Sequence, residues 1–124
     1  GLVVHGQPGI DELSPCGATT VATVRNGSVV LSELDARELG VPLCALSDLA
    51  GGEPSRNAEI SLAVLGGAQG PASDATALNA AAALVVAGRA ADLGEGLEAA
   101  REALRSGAAM EKLTALRAAG KELA

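Results

Sequence analysis

The chain has 124 residues, 48% of them apolar, a formal net charge of −6 and no Phe, Tyr or Trp. That length gives one domain at most or a piece of a larger one, and the apolar half is enough to bury a core and too much for a disordered chain. An acidic chain without aromatics has neither the basic patch nor the stacking platform of a nucleic-acid binder, so nucleic acid is not expected as a partner.

The apolar set is almost entirely Ala, Val and Leu, with Met110 the single methionine. Such a core packs helices closely but buries little area per side chain, and its alanine content favours helix. Cys16 and Cys44 form no CxxC and have no histidine cluster beside them, which suits two reduced thiols in a cytoplasmic protein. His5 is the only histidine, so a zinc site is not expected. No signal peptide is visible, and the apolar run 80–87 is far short of the ~20 residues that span a bilayer. The expectation is a soluble protein with no membrane partner.

In chain order, Leu2-Val3-Val4, closed by His5-Gly6, reads as a buried strand, central and parallel because both faces are apolar. It starts at the first residues, with no helix or turn before it, which suggests truncation. Residues 7–16 are loop, marked by Pro8, Gly9 and Pro15. Asn26-Gly27 between two β-rich runs predicts a hairpin with a type I′ turn, setting Val24 opposite Val29 and Ala22 opposite Leu31 as one apolar face.

The helical part follows. Asp35 and Glu38 have capping-box spacing, which puts the Asp35 carboxylate on the Glu38 amide at the start of a single turn stopped by Gly40 and Pro42. Pro54 suits the first position of a helix over 54–65, with Ala58, Leu62 and Leu65 on one face and Gly66-Gly67 after it. Pro71 opens the next helix, to about Val86, with Leu78, Ala82 and Val85 on one face. Asp92 and Glu95 repeat the capping box before the stripe Leu97, Ala100 and Leu104, which Gly107 ends. A last helix over 108–119 sets Ala109, Leu113 and Leu116 on one face. No repeat or domain linker divides the chain. A strand, a hairpin and four helices do not complete a doubly wound sheet, so a fragment of a larger α/β fold is expected, with a small self-contained α+β domain as the alternative.

Few residues can carry chemistry. Asp11 and Glu12 lie just past the first strand's carboxyl end, where open α/β sheets bind ligands, and such a pair can offer Mg²⁺ hard oxygen ligands. Without context, adjacent loop carboxylates are more often solvated charges. His5 at a strand end is more often a structural hydrogen-bonder than an acid, and Ser14 has no base to make it a nucleophile. Gly66, Gly67 and Gly70 fit neither a P-loop nor a dinucleotide fingerprint. Asn79, surrounded by alanines on a helix, needs a partner and could tie that helix to a loop.

Four blocks then fall in register. Residues 2–14 match V-V-H-G-x-x-G-x-D-E-x-S, Gly51-Gly52 with Asn57-Ala58 match G-G-x-x-x-x-N-A, and Ser106-Gly107-Ala108-Ala109 match S-G-A-A. Between the last two, Gly70-Pro71, Asp74, Leu78-Asn79-Ala80-Ala81 and Ala87-Gly88-Arg89-Ala90 follow G-P-x-x-D…L-N-A-A…A-G-K-A. Together they cover essentially the whole chain, which resembles the C-terminal portion of the anthranilate phosphoribosyltransferases.

The resemblance implies an α/β domain of the nucleoside phosphorylase and phosphoribosyltransferase type, with residues 1–124 as the C-terminal part of that domain. It implies transfer of 5-phosphoribosyl from phosphoribosyl pyrophosphate to anthranilate in tryptophan biosynthesis, by a cytoplasmic enzyme that is a homodimer when complete. By the same resemblance Asp11 and Glu12 help bind Mg²⁺ on the pyrophosphate, and no catalytic residue is assigned. The N-terminal helical domain, the G-T-G-G-D loop, the K-H-G-N-x-x-x-S-S segment and the arginine that faces anthranilate are absent from these 124 residues, so the chain alone is expected to be inactive. A nucleoside phosphorylase-like relative and a non-catalytic interaction fragment remain as alternatives.

Overall fold

The computed structural model describes residues 1–122. Three strands, β1 (Leu2–Gly6), β2 (Thr19–Arg25) and β3 (Ser28–Leu34), precede four helices: α1 (Pro54–Leu65), α2 (Pro71–Val86), α3 (Leu93–Arg105) and α4 (Ala108–Glu122). Single 3-10 turns at Ala36–Leu39 and Leu46–Leu49 join the two halves.

The hairpin forms where its turn dipeptide lies. Asn26 and Gly27 adopt φ of 51° and 76°, the left-handed pair a type I′ turn requires. Val24 pairs with Val29 and Ala22 with Leu31, as the turn predicts.

The expectation of a parallel, centrally buried β1 is overturned. β1 runs antiparallel to β2, from Leu2↔Thr23 to Gly6↔Thr19, in a sheet of order β1-β2-β3. Leu2 and Val4 pack toward the core while Val3 is 66% exposed, which is the alternation of a sheet covered on one side. Three consecutive apolar residues imitate two-sided burial here because the outward position also carries a valine. That outer face holds Val3, Ala22, Val24, Val29 and Leu31, with Leu31 72% exposed.

The inner face sets Val21 in one core with Leu13 of the loop before β2, Leu78 of α2 and Leu97 of α3, and all three leucines are fully buried. The α3 stripe is as expected: Leu97, Ala100 and Leu104 all point inward. α2 and α3 approach so closely at Gly96 that a Cβ there would lie 2.8 Å from the Ala81 carbonyl oxygen. Small side chains allow this approach, which is how a core without aromatics closes.

Pro54 and Pro71 begin α1 and α2 as expected. Asp92 Oδ1 accepts from the Glu95 amide at 2.9 Å, while Glu95 Oε2 reaches back to the Ala91 amide at 2.8 Å, one residue earlier than in a capping box. Asp35 differs from expectation. Its carboxylate takes the Arg37 amide rather than that of Glu38, because the segment is a 3-10 turn and brings the nearer amide round. The Arg37 guanidinium holds the Asp35 carboxyl below the usual carboxylate range.

α1 is rotated from its expected face. Val64 is buried and Ile60 half-buried, and of the expected face Leu65 is half-buried whereas Ala58 and Leu62 are exposed. α4 half-buries Ala109 and Leu113 but leaves Leu116 70% exposed. Both helices carry apolar residues on more than one side, so periodicity alone does not choose the buried one. Among the described residues no helix is long and apolar enough to cross a membrane.

Candidate functional site

The loop after β1 is folded by short backbone bonds. The Gly6 amide donates to the Ile10 carbonyl and the Ile10 amide to the Gly6 carbonyl, both at 2.8 Å, and the Gln7 amide donates to the Ala18 carbonyl at 2.9 Å. Gly6 is buried beneath the loop it starts. A Cβ there would lie 2.5 Å from Ser14 Cβ and 2.8 Å from the Glu12 carbonyl oxygen, so the loop folds down only over a residue without a side chain.

Side chains fix the far end. The Asn79 side chain clamps Leu13 from α2: Oδ1 accepts from the Leu13 amide at 2.8 Å, and Nδ2 donates to the Leu13 carbonyl at 3.0 Å. The structural role expected of Asn79 is thus present, and its partner is the backbone next to Glu12. Ser14 has no nucleophile's setting. Its hydroxyl donates to the Gln7 carbonyl at 2.7 Å and its amide donates to Thr19 Oγ1 at 2.9 Å, with both residues buried. Thr19 gave no signal in the sequence, since a β-branched residue in a strand needs no further reason.

Between these anchors Asp11 and Glu12 are exposed, and among the described residues neither carboxylate takes part in an ion pair or a side-chain hydrogen bond. Two free carboxylates on an anchored loop suit a hard divalent cation and supply part of its oxygen set. Among the described residues no group of three or more His, Cys, Asp or Glu side chains completes a metal cage, so the other oxygens would come from water and substrate.

His5 projects from β1 opposite Thr20 on the exposed face and makes no side-chain hydrogen bond among the described residues, so the structural bond expected of it is not formed there. Asn57 repeats the Asn79 device at 51–52: its Oδ1 accepts from the Gly52 amide at 2.8 Å and its Nδ2 donates to the Gly52 carbonyl at 2.9 Å. Two of the four sequence blocks are therefore amide clamps on loop backbone. The sequence marked Asn57 only as part of a motif.

Residues 1–110 match the family described as "Glycosyl transferase family, a/b domain". The anthranilate phosphoribosyltransferase of Methylobacterium nodulans is 49% identical over 113 residues, 91% of this chain and 34% of that protein. The crystal structure of the Thermus thermophilus anthranilate phosphoribosyltransferase superposes with a TM-score of 0.80 at 41% identity, over 89% of this chain and 32% of that one. The Saccharomyces cerevisiae enzyme in complex with phosphoribosyl pyrophosphate and Mg superposes with a TM-score of 0.80 at 28% identity, over 91% of this chain and 33% of that one. The same yeast enzyme has also been solved with 4-fluoroanthranilate. The chain thus spans about a third of the length of the relatives it matches. The family match runs through the strand, the hairpin and the first three helices, and the chain belongs to the glycosyl transferase family, a/b domain.

Proposed function

We propose that this chain is the C-terminal part of the α/β domain of an anthranilate phosphoribosyltransferase, and that Asp11 and Glu12 hold Mg²⁺ on the pyrophosphate of phosphoribosyl pyrophosphate. The observation that carries the proposal is the pair of carboxylates, without an ion pair among the described residues, on a loop pinned at Gly6 and at Leu13. The similarity to enzymes solved with phosphoribosyl pyrophosphate and Mg, and with an anthranilate analogue, supports it. When bound, the ion would offset the charge that builds on the leaving pyrophosphate. The residues of this chain position that charge. Gly6 lets the loop fold back, and Asn79 fixes the backbone beside Glu12.

We place the complete enzyme on the tryptophan pathway, in the cytoplasm and as a homodimer, with neither nucleic acid nor membrane as a partner. The net charge of −6 disfavours nucleic acid as a partner. The helical domain and the phosphate-gripping loops lie outside these 124 residues in this proposal.

Replacing Asp11 and Glu12 by Asn and Gln in the complete enzyme keeps shape and removes two charges. It is expected to lower kcat/KM by at least ~10-fold, equivalent to ~1.4 kcal/mol, and to raise the Mg²⁺ concentration needed for half-maximal rate. Wild-type kinetics across a Mg²⁺ titration would remove the metal assignment. The 124-residue chain alone, followed by anthranilate fluorescence with phosphoribosyl pyrophosphate and Mg²⁺, is expected to show no transfer. Sustained loss of fluorescence would overturn its placement as an incomplete part.

A further inference from the structure

The two cysteines, 28 positions apart and unrelated by any motif, are brought together by the fold: Cys16 Sγ and Cys44 Sγ lie 3.6 Å apart. Their backbones are already in register, because the Cys44 amide donates to the Pro15 carbonyl at 3.0 Å. Both thiols are free and partly exposed. Closing the pair to a disulfide of ~2.05 Å requires the sulfurs to approach by about 1.5 Å.

We propose that Cys16 and Cys44 form a dithiol modification site that small-molecule disulfides oxidise to an intramolecular bond. In the first step the Cys16 thiolate attacks one sulfur of the small disulfide, forming a mixed disulfide and releasing one small thiolate. In the second the Cys44 thiolate attacks Cys16 Sγ, forming the protein disulfide and releasing the second small thiolate. The two protons lost by the cysteines pass to the two released thiolates, so two protein thiols are oxidised and one small disulfide is reduced to two thiols.

The second step needs only the contact already present between the two sulfurs. Desolvation, then the hydrogen bond with Cys16, push the Cys44 thiol up to about 11, and Asp48 and Asp74 add to the rise. Cys44 serves as the resolving group because its sulfur already lies against Cys16 Sγ. The bond would join the end of the Asp11-Glu12 loop to the segment before the Leu46–Leu49 turn, and Ser14 transmits the restraint. Ser14 Oγ accepts from the Cys16 amide at 3.0 Å while donating to the Gln7 carbonyl.

The test uses the complete protein, reduced, folded and titrated with glutathione disulfide, then quenched by alkylation and digested with trypsin. The tryptic peptide ending at Arg25 and the peptide covering residues 38–56 each carry one of the two cysteines. The expected result is simultaneous loss of both alkylatable thiols and recovery of those two peptides as one cross-linked species. Cys16→Ser and Cys44→Ser should each stop at a single mixed disulfide or an alkylated thiol. Wild-type protein yielding only glutathione adducts, or both cysteines still alkylated, would overturn the proposal. The outcome is read from the peptides and is independent of transferase activity.

Discussion

Asn79→Leu is expected to lower the unfolding free energy by ~2–3 kcal/mol in urea denaturation. The substitution keeps a side chain of similar size and raises helix propensity but removes the acceptor of the Leu13 amide and the donor to the Leu13 carbonyl. Leu13 is 1% exposed, and each buried backbone group left without a partner costs ~1–3 kcal/mol. Because the clamp grips the residue after Glu12, the variant should also lose Mg²⁺-dependent rate in the complete enzyme. Stability within ~0.5 kcal/mol of wild type would mean that water replaces the amide and that the clamp is not what holds the loop.

Gly6→Ala should act on the same loop from below. The added Cβ would stand 2.5 Å from Ser14 Cβ and 2.8 Å from the Glu12 carbonyl oxygen, and neither neighbour is the end of a flexible chain. Overpacking of this kind costs ~1–3 kcal/mol, and a shift near 1 Å at a positioned group costs ~100-fold in rate. The expected result is therefore a loss of about 100-fold in kcat/KM, with a raised Mg²⁺ requirement. Gly120→Ala is the contrasting substitution. Gly120 lies in α4 with nothing within 4 Å of its Cβ position, so alanine there should keep wild-type kinetics and add up to ~1 kcal/mol of helix stability. If Gly6→Ala behaves like Gly120→Ala, the loop is free to move and the anchoring ascribed to Gly6 is wrong.

What could be read ahead of the fold was local in its physics. Asn26-Gly27 names its own turn, because few dipeptides accept two positive φ angles in succession. Pro54 and Pro71 mark first helical positions, and Asp92 caps the third amide beyond it, since each effect acts within one turn of backbone. The need for a partner at Asn79 was equally plain from its alanine surroundings, though not that Leu13, 66 positions away, would supply it.

The tertiary structure decided the rest. Leu2-Val3-Val4 specified a strand, but β2 folding back beside it made the pairing antiparallel and turned Val3 outward. On α1, Ala58, Leu62 and Leu65 had the right spacing, yet only Leu65 of the three is half-buried and the deepest burial went to Val64, because a helix with apolar residues on several sides takes its face from its neighbours. Asp11 and Glu12 were adjacent in sequence from the start, whereas the pinning of their loop depends on Gly6, Thr19 and Asn79. The contact of Cys16 with Cys44 has no signature of its own in the chain. Turns, caps and strand propensity are settled by the few residues that form them. Sheet direction, the buried face of a helix and a loop's anchorage are settled by segments that are distant in sequence and meet only when the core closes.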